Sequence, residues 1–398
     1  MNIKIIPSKL SGKVEIPGSK SITHRALICA SLCSDSSIIR NPLICNDTFE
    51  TMSMLKSLGV IFNIHKDYIE VIPPKKLEIK GELICKESAS TLRFLIPLIS
   101  FISDNFTIHS TNRMIERINT DDLRDLVGLN FEFQDSKIII KGQLSRVLKL
   151  KSNITSQWIS GVLLVSPIYN IDLDVDNIGG YTQITIDTMS MFGIEFDKDY
   201  IPKGRYVSNE VFVEADYSSA SYFLAMSMFN SVSVSNISND SKQPDAIFKY
   251  VKDNINEIKA INLKDAPDIA MLVAAVFSVT PGKRRITGLE KLRHKESNRL
   301  LAIFKALSSL GADIEIDNDV LILDGKDYLY GDVIVDSYND HRVLMSVVAI
   351  SSKVKKPFTI TNKECINKSF PNFLQEFASI GGLYEDNIPK STSWYCLY

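Results

Sequence analysis

The sequence predicts an α+β protein built from about six repeated layers and divided into two domains. Three observations carry this expectation. A helix-like stretch, a glycine, an alternating strand, a polar turn and a second strand recur along the chain. The glycines Gly59, Gly128 and Gly193 stand 69 (59 to 128) and 65 (128 to 193) positions apart. That period is too long for a solenoid and suits a small layer with its own helix pair. Finally, residues 204–216 read as a strand leading into a new helix, Ser218 to Met228, where the third layer gives way to the fourth.

The elements follow in order. Asn2 to Pro7 is a strand expected to belong with the second half of the chain. Lys13-Val14-Glu15-Ile16 is another short strand, closed by Pro17-Gly18, after which Ser19, Ser21 or Thr23 can cap a helix running to Leu32. The first full copy places a helix at Met54 to Leu58, Gly59, a strand at Val60 to Phe62, a turn at Lys66-Asp67 and a strand at Tyr68 to Ile72. The second centres on Leu126 to Phe131, with Gln134-Asp135-Ser136 as its turn. Further copies lie at Met191 to Phe196 and Ser309 to Ile314, with a degenerate one near Val251 to Asn254 and a last helix ending at Ile380-Gly381-Gly382. Each glycine suits the left-handed position that ends a helix. The expected domains are 13–214, with three units, and 1–12 plus 215–398, with three more.

Composition narrows the function classes. Apolar residues make up 45% and charged residues 23% of 398, the balance of a soluble globular protein. With a net charge of −2 there is no global basic field for nucleic acid or a membrane surface, so clustered cations mark a local site. Apolar runs such as Met271 to Phe277 are too short to span a bilayer. Met1 to Leu10 carries no leader signature, and the six cysteines show no CxxC pair. A cytoplasmic chain with reduced thiols, no structural zinc and no cofactor is expected.

The stretch with the clearest chemistry is Gly18-Ser19-Lys20-Ser21-Ile22-Thr23-His24-Arg25. Backbone N–H groups at a helix start, small hydroxyls and two cations suit an anion such as phosphate or carboxylate. Ser21 and Arg25, four apart, share one side of the first turn. Taken alone, an ordinary capped helix with a basic first turn explains these residues as well.

Nine stretches together resemble one family over more than 350 positions, the enolpyruvyl transferases, and within it the branch acting on shikimate 3-phosphate. They are Gly18-Ser19-Lys20-Ser21 with Arg25, Glu87 to Arg93, Arg113 to Arg117, Thr155-Ser156-Gln157, Asp216 to Tyr222, Pro267-Asp268, Arg293 to Arg299, Tyr338 to Arg342 and Asn367 to Pro371. The resemblance implies an inside-out α/β barrel in each of two domains, every domain made of three βαβαββ units, with the active site in the interdomain cleft. It implies transfer of the enolpyruvyl group of phosphoenolpyruvate to the 5-hydroxyl of shikimate 3-phosphate, releasing phosphate, on the route to chorismate and the aromatic amino acids. The enol carbon is protonated, the hydroxyl attacks the cationic centre, and the tetrahedral intermediate loses phosphate. This chemistry needs an acid, a base and several cations, and no metal. The two small-molecule substrates are the expected partners, served by a monomer.

Carried over residue by residue, Lys20 touches both substrates. Ser21, Arg25, Thr155, Ser156, Gln157, Asp268 and Lys295 hold shikimate 3-phosphate, Arg25 at its carboxylate and the Thr155 turn at its phosphate. Arg113, Gln157, Arg299, Arg342, Lys368 and the backbone at Ala89 hold phosphoenolpyruvate, with Arg117 an alternative to Arg113. Asp268 is the base, and Glu296 and Lys20 are the candidate acids. Read without the family, Thr155 and Asp268 are good helix caps and Glu296 a surface pair with Lys295 or Arg299. Arg93 fits a structural ion pair equally, and His341 a buried supporting role.

Several positions depart from the family pattern. Glu87 stands for asparagine and Ala89 for glycine, and the Ala89 methyl is expected to disfavour glyphosate, a phosphonate of the phosphoenolpyruvate site. Ile178 replaces a serine that helps hold the 3-phosphate, and Lys291 replaces an asparagine nearby. Two rivals remain. The sister enzyme, UDP-N-acetylglucosamine enolpyruvyl transferase, carries a cysteine in the loop spanning Ser110 to Thr120 and Lys-Asn at 20–21; this chain has neither. A catalytically silent homologue is expected to lose Asp268, Glu296 or Lys368, and all three are present.

Overall fold

A computed structural model describes residues 1–118, 121–150, 155–175, 178–197 and 202–387. The chain forms two compact units, one of Pro17–Asp216 with Ser238–Gln243, the other of Met1–Ile16, Tyr217–Ile237 and Pro244–Tyr398. Helix and strand are mixed throughout both, as an α+β chain requires.

The first unit holds the helices α1 (Lys20–Ser31), α2 (Asn46–Ser57), α3 (Ala89–Ile102), α4 (Asn112–Ile118), α5 (Ser156–Tyr169) and α6 (Tyr181–Met191). Its strand Ser37–Arg40 pairs parallel with Glu210–Phe212 and antiparallel with Tyr68–Ile72, which pairs antiparallel with Ile61–Ile64. The same scheme recurs with Asn105–His109 parallel to Leu83–Ile84 and antiparallel to Lys137–Lys141, which pairs with Asn130–Gln134. Alternation decides which face is buried: Ile69 and Val71, then Ile138 and Ile140, point into the core. The helix α3, apolar along most of its length, packs against α5. Burying a side chain such as Leu92 or Leu95 contributes about 1.5–3 kcal/mol. The two helices meet closely at Gly161, where a Cβ would stand 2.2 Å from the Arg93 carbonyl oxygen, so only glycine fits.

The second unit holds α7 (Tyr217–Ser227), α8 (Ile247–Asp253), α9 (Ala270–Ser278), α10 (Arg299–Ser309), α11 (His341–Ala349) and α12 (Phe373–Ser379). Both of its four-stranded sheets repeat the pairing scheme of the first unit. Gly282–Thr287 lies parallel to Ala260–Asn262 and antiparallel to Val320–Gly325, which pairs with Asp313–Asp317. Phe358–Ile360 lies parallel to Ile334–Val335 and antiparallel to Asn2–Ile6, which pairs with Leu383–Asn387. The first strand of the chain is thus enclosed by its last two. The helix α9 is buried on every side, which explains its unbroken apolar run.

The junctions differ from the expected 12/13 and 214/215. Ser11–Val14 pairs parallel with Ser231–Val234, which keeps residues up to Ile16 in the second unit. Residues 238–243 return to the first, where Gln243 Nε2 donates to Glu214 Oε1 and to the Ala215 carbonyl oxygen at 2.8 Å each. The recurring glycines Gly59, Gly128, Gly193, Gly311 and Gly381 all have positive φ, between 83° and 98°. The degenerate copy lacks this device: α8 ends on Asn254 at φ −118°. Among the described residues no helix is long and apolar enough to cross a membrane.

Candidate active site

In the first unit, the sequence-predicted residues gather at the N-termini of α1, α3 and α5. Lys20 opens α1, and its Nζ donates to Asp47 Oδ2 of α2 at 2.8 Å, with both side chains largely buried. Asp47 lies in the first turn of α2, where a carboxylate also suits the helix dipole. Ser21, in the same turn as Lys20, is half-buried, and its carbonyl accepts from Arg25 Nη1 at 2.7 Å. Arg25 is 2% exposed. Its Nε donates to Thr185 Oγ1 at 2.7 Å, its Nη2 to Ser160 Oγ at 3.1 Å and to the Tyr181 carbonyl at 3.0 Å, and its guanidinium lies 4.7 Å above the Phe94 ring. Burial pushes Arg25 down to about 9, so it stays a cation at neutral pH. Four of its five N–H donors are therefore committed inside the unit, a structural role that the sequence did not show.

Thr155 takes the N-cap of α5 and Ser156 its first turn, while the Thr155 N–H donates to Asp122 Oδ2 at 3.2 Å. Gln157 is fixed at both ends of its amide. Its Oε1 accepts from Arg93 Nη1 at 2.7 Å and its Nε2 donates to Ser90 Oγ at 2.8 Å. Arg93 Nη2 donates to the Arg117 carbonyl at 2.9 Å, so Arg93 bridges α3, α4 and α5. Ala89 opens α3 and is 5% exposed. Arg113 on α4 is half-buried and its guanidinium has no partner among the described residues. Ile178 packs against the apolar core, which accounts for an aliphatic side chain where the family pattern has serine.

In the second unit, acids and cations converge. Asp268 lies in the short 3-10 turn Pro267–Ile269 that leads into α9. Its Oδ1 accepts from Arg299 Nη1 at 2.8 Å and faces Lys295 Nζ at 3.6 Å, and its Oδ2 accepts from Arg342 Nη2 at 3.0 Å. Burial alone would push the Asp268 carboxyl up; Arg342, Lys295 and Arg299 outweigh it and hold it well below the usual carboxylate range. Lys295 is drawn upward by Asp268, but burial and the neighbouring arginines leave it below the ordinary lysine value.

Arg299, at the start of α10, is gripped by three acids. Besides Asp268 it meets Glu296 Oε2 at 2.6 Å and donates from Nε to Asp340 Oδ2 at 2.8 Å. Asp340 is wholly buried and also caps α11, accepting from the Arg342 N–H at 3.0 Å and from Ser297 Oγ at 3.0 Å. The turn that presents it holds Tyr338 and Asn339 at φ 54° and 52°, left-handed conformations that are strained for a tyrosine. Ser218 of α7 accepts from Arg342 Nη2 at 3.4 Å and donates to Asp245. His341 is buried at the start of α11. Lys368 is half-buried at the end of the 3-10 turn Lys363–Lys368, which packs on α11 and is anchored by Phe370 and Phe373 against Phe223. Lys291 is exposed on the turn Glu290–His294.

Sequence reasoning missed Asp47 and did not single out Asp340, Ser90 or Ser218 within its motifs. Asp340 did stand between two motif residues, and Asp47 at a helix start, but neither fact names a partner 41 or 27 positions away.

Comparison with known proteins adds the following. The sequence profile of the family described as EPSP synthase (3-phosphoshikimate 1-carboxyvinyltransferase) matches residues 5–377. A protein of Clostridium kluyveri named 3-phosphoshikimate 1-carboxyvinyltransferase is 33% identical over 415 residues, covering 96% of this chain and 97% of the relative. A protein of the same name from Clostridioides difficile is 33% identical over 436 residues, covering 97% and 98%. Among solved structures, an EPSP synthase of Acinetobacter baumannii superposes with a TM-score of 0.76 at 18% identity, over 96% of this chain and 99% of the other, a likeness of fold.

Proposed function

The chain belongs to the EPSP synthase family, and on that premise we propose that it transfers the enolpyruvyl group of phosphoenolpyruvate to the 5-hydroxyl of shikimate 3-phosphate with release of phosphate. The observation that carries this reading is the grip of Arg299, Arg342 and Lys295 on Asp268. Two arginines and a lysine around one carboxylate suit a substrate that brings a carboxylate and a phosphate of its own, since the planar guanidinium holds such groups by paired bonds.

As the chain stands, Asp268 is a weak base because those cations stabilise its charge. A phosphoenolpyruvate anion competes for the same N–H donors. As Arg299 and Arg342 turn to it, Asp268 loses counter-charge and becomes a stronger base for the 5-hydroxyl proton. The same exchange loosens Glu296 from Arg299, so Glu296 can carry a proton to the enol carbon; Lys20 is the second candidate. The hydroxyl oxygen bonds to the cationic carbon, the C–O bond to phosphate then breaks, and the methyl proton returns to the acid's conjugate base.

In this reading Thr155, Ser156 and the first turn of α5 take the 3-phosphate, helped by the helix dipole. Ser21 and the remaining Nη1–H of Arg25 take the shikimate moiety. Arg113, with its guanidinium uncommitted among the described residues, is preferred to Arg117 for phosphoenolpyruvate, beside Lys20, Gln157, Lys368 and the backbone at Ala89. Two domains of three βαβαββ units each, a monomer and a cytoplasmic location complete the proposal.

The test is a phosphate-release assay. Release is expected only when phosphoenolpyruvate and shikimate 3-phosphate are both present. Release with UDP-N-acetylglucosamine instead would move the chain to the sister activity, and none with either acceptor would make it a silent homologue.

A further inference from the structure

Glu50 belongs to none of the motifs, yet its carboxylate accepts from three consecutive backbone amides. It lies on α2, three positions after Asp47 and one before Thr51, so the three side chains share a face. That face joins three helices. Asp47 holds Lys20 of α1, and Thr51 Oγ1 meets both His24 Nδ1 at 2.7 Å and Thr91 Oγ1 of α3 at 2.6 Å. The Glu50 carboxylate reaches the turn that precedes α3. Its Oε2 accepts from the Ser88 N–H at 2.9 Å and its Oε1 from the Glu87 and Lys86 N–H groups at 3.1 and 3.2 Å. The Cys85 thiol also donates to Oε2, at 3.1 Å. Consecutive amides aimed at one anion form a nest, and here the anion is part of the protein.

The far side of the turn holds other groups. The Cys85 carbonyl accepts from Ser110 Oγ at 2.7 Å and the Lys86 carbonyl from Thr111 Oγ1 at 2.9 Å, fixing the entry to α4 and so to Arg113. Directly after the turn come Ala89 and then Ser90, whose hydroxyl orients Gln157. We propose that Glu50 is the positioning residue of the phosphoenolpyruvate subsite, setting Ala89, Gln157 and Arg113 through the turn at 85–88. This rests on the function proposed above. Glu50 makes no hydrogen bond to Ser21, Arg25, Thr155 or Ser156, and Gln157 is the one residue it sets that also serves shikimate 3-phosphate, so its influence falls mainly on phosphoenolpyruvate.

Glu50→Ala and Glu50→Gln separate this role from simple stabilisation. Glutamine keeps the size but has a single acceptor oxygen and turns an NH2 toward the amides, so it should not restore the nest. Losing charge-assisted hydrogen bonds of this kind is expected to raise KM for phosphoenolpyruvate roughly tenfold in both variants. KM for shikimate 3-phosphate should stay within about twofold. Amide exchange at 86–88 should accelerate in both variants, a readout that needs no turnover. Unchanged exchange overturns the proposal whether or not the chain is active. Unchanged KM for phosphoenolpyruvate, or an equal rise for both substrates, overturns it in an enzyme whose wild type releases phosphate. An inactive wild type with accelerated exchange supports the hold on the turn and counts against the function instead.

Discussion

Arg25, buried in the first unit, is held by neutral groups, whereas Arg299 and Arg342, buried in the second, are held by acids. Arg25 donates to two hydroxyls and two carbonyls. Arg299 and Arg342, by contrast, share Asp268, and Arg299 adds Asp340 and Glu296. Neutral partners leave the positive charge uncompensated, which suits a scaffold offered to an anion from outside. Acidic partners compensate it, and an arriving anion can exchange with them. In the proposed mechanism the difference separates residues that build the site from residues that hand over their bonds.

The largest effect is expected at the acid that is handed over. Asp268→Asn keeps the shape and most of the hydrogen bonding but removes the base, so turnover should fall roughly 10²–10⁴-fold with both substrates still bound. Steady-state rates alongside equilibrium binding check this. Near-normal turnover would take Asp268 out of the chemistry and erase the contrast between the units. Next in size is Ala89, the nearly buried first residue of α3. Removing its methyl by Ala89→Gly should tighten glyphosate inhibition, measured against KM for phosphoenolpyruvate, by about 5- to 150-fold. An unchanged inhibition constant would show that the methyl does not discriminate.

The smallest effect sharpens the neutral side of the comparison. Arg25→Lys keeps the charge but cannot reproduce the forked set of bonds to Thr185, Ser160 and Tyr181. Buried acceptors left without a donor should lower stability by about 1–3 kcal/mol, read as a fall in melting temperature or denaturant midpoint. Arg342→Lys should cost less stability, since Asp268 keeps Arg299 and Lys295, and should raise KM for phosphoenolpyruvate, because in the proposed mechanism substrate replaces its bond to Asp268. If both variants lose stability alike, the two classes of arginine are not distinct.

Much of this was legible in the chain. The left-handed glycines at 59, 193 and 311 end their helices as the pattern required, while Gly128, in the same conformation, follows the 3-10 turn Asp121–Asp125. Each such signal is local, a few residues whose conformation follows from their own chemistry. What stayed hidden is non-local. The strand Asn2–Ile6 was read as a strand, but its register against Phe358–Ile360 and Leu383–Asn387 is set by residues more than 350 positions away. The four internal hydrogen bonds of Arg25 stayed hidden because a sequence shows charge and not burial. Asp47, Glu50 and Thr51 stand in no motif, and their partners come from α1, from α3 and from the segment leading into it.

In the proposed mechanism substrate takes the cations from Asp268 and so turns a stabilised carboxylate into a base. Carbon-13 NMR of aspartate carboxyl groups, with Asp268 assigned by the signal lost in Asp268→Asn, measures it directly. Without substrates Asp268 should titrate well below the usual carboxylate range, held there by Arg342, Lys295 and Arg299 against the effect of burial. With both substrates at equilibrium on the enzyme, its titration should move to higher pH. A carboxyl that titrates at the same pH in both conditions, or lower with substrates bound, would contradict the account.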